Sequence, residues 1–374
     1  MINTKNFFDC LIENELTFFT GVPDSLLKNL CACIRDNCDK KHNITAANEG
    51  NAIGIACGYH LATGKTGVVY MQNSGIGNAV NPLISLADED VYKIPVLMIV
   101  GWRGEPGISD EPQHKKQGKI TLELFEAMGV ETVLLDDNYE EKIRYCVEYI
   151  KKYQRPVALI VRKNTFSEYK CCFEQTEHAL TREQALDIIT HNMDAEDIVV
   201  STTGKTSREL FELREKSGFG HANDFLTVGS MGHTSSIALG ISLFTDKRVY
   251  CIDGDGSFIM HMGAGAVNAA NISDNFRYIL INNGAHESVG GQPTVGFEIN
   301  ISEILSNCGF ENVYTAYQEK EVWIGMEYLN THAKSALIVH VTQGSRSNLG
   351  RPTLSPQENK KLLMEKIRME NGRK

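Results

Sequence analysis

Short runs of Val, Ile and Leu, each breaking abruptly into Gly, Asn or Asp, constrain this chain more than anything else in it. "TGVVYMQNSG", "KIPVLMIVGWRG" and "RPVALIVRKN" lie in the first half; "EDIVVSTTG", "KRVYCIDGDG", "FRYILINNG" and "SALIVHVTQG" lie in the second. Apolar side chains fill these runs almost without alternation, as in parallel strands covered on both faces, and amphipathic segments of helical length separate them. The pattern predicts α/β architecture with doubly wound parallel sheets. A chain of 374 residues exceeds one ordinary core, so two such domains are expected. The polar and aromatic stretch "TFSEYKCCFEQTEHALTREQ" interrupts the rhythm. It sets a first domain at 1–165, a linker at 166–180, and a second domain at 181–374, where a new helix begins near Thr181 and a Pro-containing loop and charged helix close the chain.

Charge and cysteine content remove several function classes. Lys and Arg number 37 against 47 Asp and Glu, a net charge of -10, and no basic run is present, which argues against nucleic acid or an anionic membrane surface as partner. No apolar run reaches the length of a membrane span, and the first residues lack the features of a signal peptide, so a cytoplasmic protein is expected. Ten cysteines are scattered without a CxxC pair, which speaks against a disulfide framework or zinc ribbon. Cys31, Cys33, Cys38 and His42 fall in "LLKNLCACIRDNCDKKH", which reads as an amphipathic helix with a solvated charged end and fits no zinc spacing.

Two strand ends carry chemistry. In open parallel sheets ligands bind beyond the carboxyl ends of strands, where "GDGS" (254–257) and "NNGAH" (282–286) both fall. Gly254 and Gly256 let backbone N–H groups approach an anion, and Ser257 is expected to begin the next helix. Asp255 offers an anionic oxygen to a hard cation; Asn283 offers a neutral one, and a backbone carbonyl just beyond it a third. That set suits Mg²⁺ shared with a phosphate-bearing ligand. The 28 positions between Asp255 and Asn283 hold one helix and one returning strand, so a βαβ unit brings both loops to one sheet edge. Either loop alone is only a turn signal.

The pair resembles the signature of the thiamine diphosphate-dependent enzymes, GDG followed about thirty residues later by NN. The resemblance implies Asp255, the Asn283 side chain and the Ala285 carbonyl as metal ligands, with Asn282 structural, although the choice between the two Asn residues depends on alignment. Gly254, Gly256 and Ser257 would neighbour the diphosphate, with Thr203 and Gly204 of "TTGKTSREL" close by. That segment is no P-loop, since Val199 stands where its first Gly belongs. Glu49 in "ITAANEGNAIGIACGYHLATGK" matches the acid that contacts the aminopyrimidine and promotes its imino tautomer. "TVGSMGHTSSIALG" resembles the segment supporting the bent cofactor, with Met231 beneath it and the Gly229 carbonyl facing its amino group. A helix N-terminal charge and a core Met are the plain alternatives.

Within the family, a chain of two domains without a central third matches the decarboxylases of short 2-keto acids. "FFTGVPDSLLK", "GWRGEPGISDEPQHKKQG" and "SRSNLGRPTLSPQENK" resemble those acting on 3-phosphonopyruvate, which yield phosphonoacetaldehyde and CO₂ in 2-aminoethylphosphonate formation; sulfopyruvate or another short 2-keto acid is the alternative substrate. The resemblance makes Ser25, Arg103, Gln113, Arg346 and Arg351 substrate-binding candidates, alongside Lys115 and Lys116, because Arg offers a planar fork to phosphonate oxygens; a solvated surface charge is the other reading of each cation. Asp24 and His114 are the candidate proton donors, with simple helix capping as the alternative for Asp24 and Ser25. The relatives share each cofactor between two subunits, so a homodimer or higher homo-oligomer is implied. A non-catalytic thiamine diphosphate-binding protein would not need Glu49 together with the metal motif.

Overall fold

The computed structural model describes residues 1–170 and 178–371. The chain divides into two compact units, one of Met1–Phe173 with Ser288–Gln292, the other of Glu174–Glu287 with Pro293–Lys374. Of the expected linker 166–180, residues 171–177 lie outside the described residues, while Phe166 sits in the core of the first unit and bridges Ile2.

The first unit is built on a six-stranded sheet of β1 (Phe19–Gly21), β2 (Asn43–Thr45), β3 (Gly67–Gln72), β4 (Val96–Gly101), β5 (Glu131–Leu134) and β6 (Val157–Val161), in the order β2-β1-β3-β4-β6-β5. The second contains β7 (Ile198–Ser201), β8 (Asp224–Leu226), β9 (Val249–Gly254), β10 (Phe276–Asn282), β13 (Asn312–Ala316) and β14 (Ser335–His340). β11 (Ala285–His286) and β12 (Gln292–Pro293) are two-residue strands outside that sheet. Its order, β8-β7-β9-β10-β14-β13, repeats that of the first sheet strand for strand. Every pairing in both six-stranded sheets is parallel.

The unbroken apolar runs follow from this arrangement. Along β3, Val68 and Tyr70 enter one core and Val69 and Met71 the other. Along β9, Tyr250 and Ile252 face one core and Val249 and Cys251 the opposite one. Both faces are covered along these stretches, so polar residues need not alternate with the apolar ones.

Local signals set several boundaries. Thr181 caps the helix Arg182–His191 in a capping box with Gln184. The helix after β9 begins at Asp255 rather than at Ser257, so the GDG turn is itself the start of a helix. The closing helix Pro356–Asn371 lies on its own sheet: the Asn359 amide donates to the Asp224 carbonyl at 2.7 Å and accepts from the Leu226 N–H at 3.3 Å, covering the edge strand β8.

Candidate active site

In each unit the chain reverses direction across the sheet after its second strand, and the crevice at such a reversal is the usual ligand site of open α/β sheets. In the first unit the reversal lies between β1 and β3, in the second between β7 and β9.

Glu49 is the first residue of the helix Glu49–Thr63, whose preceding residue Asn48 accepts from the Asn51 N–H. The residue is 4% exposed. Asn78 donates to Oε2 at 2.8 Å, and a Cβ on Gly75 would stand 2.1 Å from Oε1. Glycine at 75 is what makes room for the acid. Burial raises the Glu49 pKa, and the Asn78 hydrogen bond offsets it only in part.

Beyond β1, Asp24 is fully buried, and Oδ2 accepts from the Leu26 N–H at 3.0 Å. It caps no helix, because the next one starts at Lys28 without a side-chain cap. Burial lifts its pKa to about 6 against the opposing pull of the Leu26 amide and Arg103. A Cβ on Gly101 would come within 2.0 Å of Oδ2, so the end of β4 must be glycine.

Arg103 donates 2.7 Å to Ser25 Oγ, and its Nε bonds Asp110 at 2.8 Å. The expected open fork is therefore already held by a carboxylate of its own loop. Asn73 pins the Arg103 backbone from both sides, donating to its carbonyl at 2.8 Å and accepting from its N–H at 3.1 Å. His114 lies buried close enough for Arg103 to lower its pKa, after burial as the larger cause. Its Nδ1 and the amide oxygen of half-buried Gln113 have no partner among the described residues. Ser25, Trp102, Arg103, Glu105, Asp110 and Lys163 line a cleft of about 190 Å³. Glu105 pairs with Arg162 at 3.0 Å, whereas Lys163 makes no ion pair among the described residues.

In the second unit, Asp255 opens its helix and is 3% exposed. Burial raises its pKa to about 6, against the Thr294 hydroxyl and the N–H groups of Asn283, Asp255 and Gly256. The side chain of Asn283 accepts from the Ala285 N–H at 3.1 Å and donates to Glu287 at 2.9 Å. Asn282 holds the loop, donating to the Gly296 carbonyl at 2.7 Å and accepting from the Gly284 N–H at 3.1 Å. The βαβ unit thus brings the two motif loops together.

Glycines leave an open cradle beside them. Gly204 precedes the helix Lys205–Lys216 with φ 95°, a left-handed conformation that disfavours a side chain. A Cβ on Gly254 would meet nothing closer than 3.8 Å. Thr203 donates to the Val228 carbonyl at 2.9 Å, at the start of the 228–232 loop. That loop carries Gly229, Ser230 with φ 58°, and Met231, whose Cε comes within 3.2 Å of where a Cβ on Gly256 would lie.

The Ser257 hydroxyl is committed elsewhere. It accepts from the Gly232 N–H at 3.1 Å and donates to buried Asp253, which also holds the Tyr278 and Thr202 hydroxyls. Only its backbone N–H remains for a diphosphate. Arg346 is likewise engaged, by Glu183 at 2.8 Å and by Glu212; Arg351, in the loop before the closing helix, is exposed but also has a partner.

The donor set fits the expected groups. Carboxylate, amide and carbonyl oxygens without sulfur or imidazole suit Mg²⁺, and one protein carboxylate alone leaves coordination positions for phosphate oxygens. Asp255, Asn283 and the Ala285 carbonyl would hold the ion, and the glycine-lined strand ends would admit the diphosphate. Thr294, Asn78, Asn73, Asp253 and Lys163 were not legible as site residues, since each is an ordinary polar residue in the sequence and gains its place only through the fold.

Comparison with known proteins agrees. Residues 3–126 match the model of the thiamine pyrophosphate enzyme N-terminal TPP binding domain, and residues 202–337 that of the C-terminal TPP binding domain. The chain is 30% identical to a phosphonopyruvate decarboxylase of Streptomyces hygroscopicus, covering 96% of this chain and 92% of that one. It is 26% identical to a sulfopyruvate decarboxylase of Methanosarcina acetivorans, over 97% of both. It is also 34% identical to the sulfopyruvate decarboxylase subunit alpha of Methanocaldococcus jannaschii, over 41% of this chain and 89% of that one. With two parallel α/β units and both cofactor-domain matches in sequence order, the chain belongs to the thiamine diphosphate-dependent decarboxylases, carboxy-lyases related to those of phosphonopyruvate and sulfopyruvate.

Proposed function

We propose that the chain, with Mg²⁺, catalyses the non-oxidative decarboxylation of 3-phosphonopyruvate to phosphonoacetaldehyde and CO₂, a step of phosphonate biosynthesis leading to 2-aminoethylphosphonate. The observation that carries this reading is the similarity to a phosphonopyruvate decarboxylase at 30% identity over nearly the whole chain, against 26% for the full-length sulfopyruvate decarboxylase.

When bound, thiamine diphosphate supplies the electron sink that lets CO₂ leave a 2-keto acid. The protein's own residues do the rest. Asp255, Asn283 and the Ala285 carbonyl anchor the cation, and Gly254, Gly256, the Ser257 N–H, Thr203 and Gly204 receive the diphosphate. Glu49, whose pKa is raised by burial, holds or yields a proton at the aminopyrimidine nitrogen. Met231 and the Gly229 carbonyl orient the ring. Asp24 and His114, both buried beside Arg103, are the groups able to carry a proton to the reacting centre. Ser25 and Arg103 sit in the cleft that Lys163 shares, which offers a distal dianion a cation; Gln113 and the exposed Arg351 complete the substrate set. Arg346 is the weakest member, since two carboxylates already hold it. The active assembly contains at least two copies of the chain.

The test is CO₂ release by the purified protein with thiamine diphosphate and Mg²⁺, offered 3-phosphonopyruvate, sulfopyruvate and pyruvate side by side. A strong preference for phosphonopyruvate, lost without cofactor, is expected. Preference for sulfopyruvate would move the substrate and keep the mechanism. Arg351→Ala and Lys163→Met should each raise KM for phosphonopyruvate about tenfold, with pyruvate nearly unaffected.

A further inference from the structure

Asn283 can serve a metal only through Oδ1, so something must keep its NH₂ turned the other way. Its Nδ2 donates to Glu287 Oε2 at 2.9 Å. Glu287 in turn is clamped from two sides, by Arg182 Nη1 on Oε2 at 2.7 Å and Lys205 Nζ on Oε1 at 2.8 Å. Arg182 is itself fixed by a two-point contact with Glu209, Nε to Oε2 at 2.7 Å and Nη2 to Oε1 at 2.8 Å. Side chains of Arg182 and Glu209 are 5% and 0% exposed. The four charges cancel, which is how such a cluster survives burial.

Two details mark it as built for position. Lys205 is the first residue of the helix Lys205–Lys216, where the helix dipole disfavours a cation, and the Glu287 contact offsets that cost. Glu287 comes four residues after Asn283, so the amide and its acceptor belong to one short loop.

We propose that Glu287, held by Arg182 and Lys205, is a positioning residue that locks the Asn283 amide with its oxygen toward the divalent cation. The idea rests on the metal reading above. Glu287 touches neither cation nor substrate in this role; it acts through Asn283, as outer partners of metal ligands do.

The experiment is a double-mutant cycle on the full-length protein, with Mn²⁺ titrated in saturating thiamine diphosphate and free Mn²⁺ followed by electron paramagnetic resonance. Glu287→Ala removes the acceptor of Nδ2 and leaves the amide held, among the described residues, only by the 3.1 Å contact from the Ala285 N–H to Oδ1, so it should weaken Mn²⁺ binding about 10–100-fold. Asn283→Asp presents an oxygen in either orientation, so in the Glu287→Ala background it should restore most of the affinity. In the wild-type background it sets a carboxylate against Glu287 and should give no such gain. An unchanged Mn²⁺ affinity in Glu287→Ala would overturn the proposal, and so would an Asn283→Asp effect of equal size in both backgrounds. Melting curves in chelator check that each variant folds, and because the second comparison is a ratio, it remains decisive if Glu287→Ala is destabilised. Asp255→Ala separates the two levels: if it also binds Mn²⁺ normally, the metal reading itself falls; if it loses Mn²⁺ while Glu287→Ala does not, only the positioning role falls.

Discussion

Glu49 in the first unit and Asp255 in the second occupy matching situations with opposite surroundings. Each is the first residue of a helix that follows a sheet strand, each is at most 4% exposed, and each has a glycine against its carboxylate. Gly75 stands behind Glu49, and a Cβ on Gly296 would lie 2.8 Å from Asp255 Oδ2. The difference is in the donors. Asp255 is ringed by the Thr294 hydroxyl and three backbone N–H groups, while Glu49 has Asn78 as its side-chain donor. A carboxylate surrounded by N–H and O–H groups is prepared to stay anionic beside a cation. Burial raises both pKa values, Asp255's to about 6, so what sets Asp255 apart is the ring of donors ready to share it with a cation, while Glu49 meets a single side-chain donor and keeps room to exchange a proton. On the proposed reading, the same buried start of a helix would serve charge in one unit and proton transfer in the other.

The largest expected effect separates the two. Glu49→Gln should reduce turnover about 10²–10⁴-fold while calorimetric binding of thiamine diphosphate and Mg²⁺ persists; unchanged turnover would remove Glu49 from the chemistry. Asp255→Ala should do the reverse, lowering metal-dependent cofactor affinity about 100-fold or more. Normal affinity there would discard the contrast altogether.

Asp24 extends the comparison to a third buried acid. Its folded pKa stands near 6 against an ordinary 3.8, so the folded state binds the proton more tightly than the unfolded chain does. The cost of ionising it is absent below about pH 4, grows as pH rises, and is complete above about pH 6, reaching about 3 kcal/mol. Asp24→Asn keeps the acceptor for Leu26 and removes that cost. The variant should therefore gain stability over the parent between about pH 4 and pH 7 in denaturant titrations, and a pH-independent difference would contradict the burial argument.

The smallest test works through the glycines. Gly75→Ala pushes on Glu49 and Gly296→Ala on Asp255 together with Asn282, each by the clash of one methyl group, so effects of about tenfold are expected. The first should appear in turnover and the second in metal affinity. If both variants lose the same property, the division of labour between the two acids is wrong.

The strand runs were legible because a parallel strand buried on both faces has a composition little else shares. Val68–Met71 and Val249–Ile252 show this directly. The two motif loops were legible for a related reason: glycines flanking Asp255 and an Asn pair at a strand end are costly unless something approaches the backbone closely. The identical strand order of the two sheets was not legible, since nothing in one strand's composition names its neighbour.

Side-chain partners were even less so. Arg103 and Arg346 read as open forks in sequence, yet Asp110 holds the one, and Glu183 and Glu212 the other. Ser257 read as a diphosphate neighbour, but its hydroxyl closes on Asp253 and the Gly232 amide. Ionic and hydrogen-bond pairing depends on distances of a few ångströms between residues far apart in the chain, such as Arg346 and Glu183 or Lys205 and Glu287. By itself the sequence determined where strands run, where they must stop, and which oxygens lie at their ends. Tertiary structure alone decided which charges are already satisfied, because that follows from packing across the sheet, where no local pattern reaches.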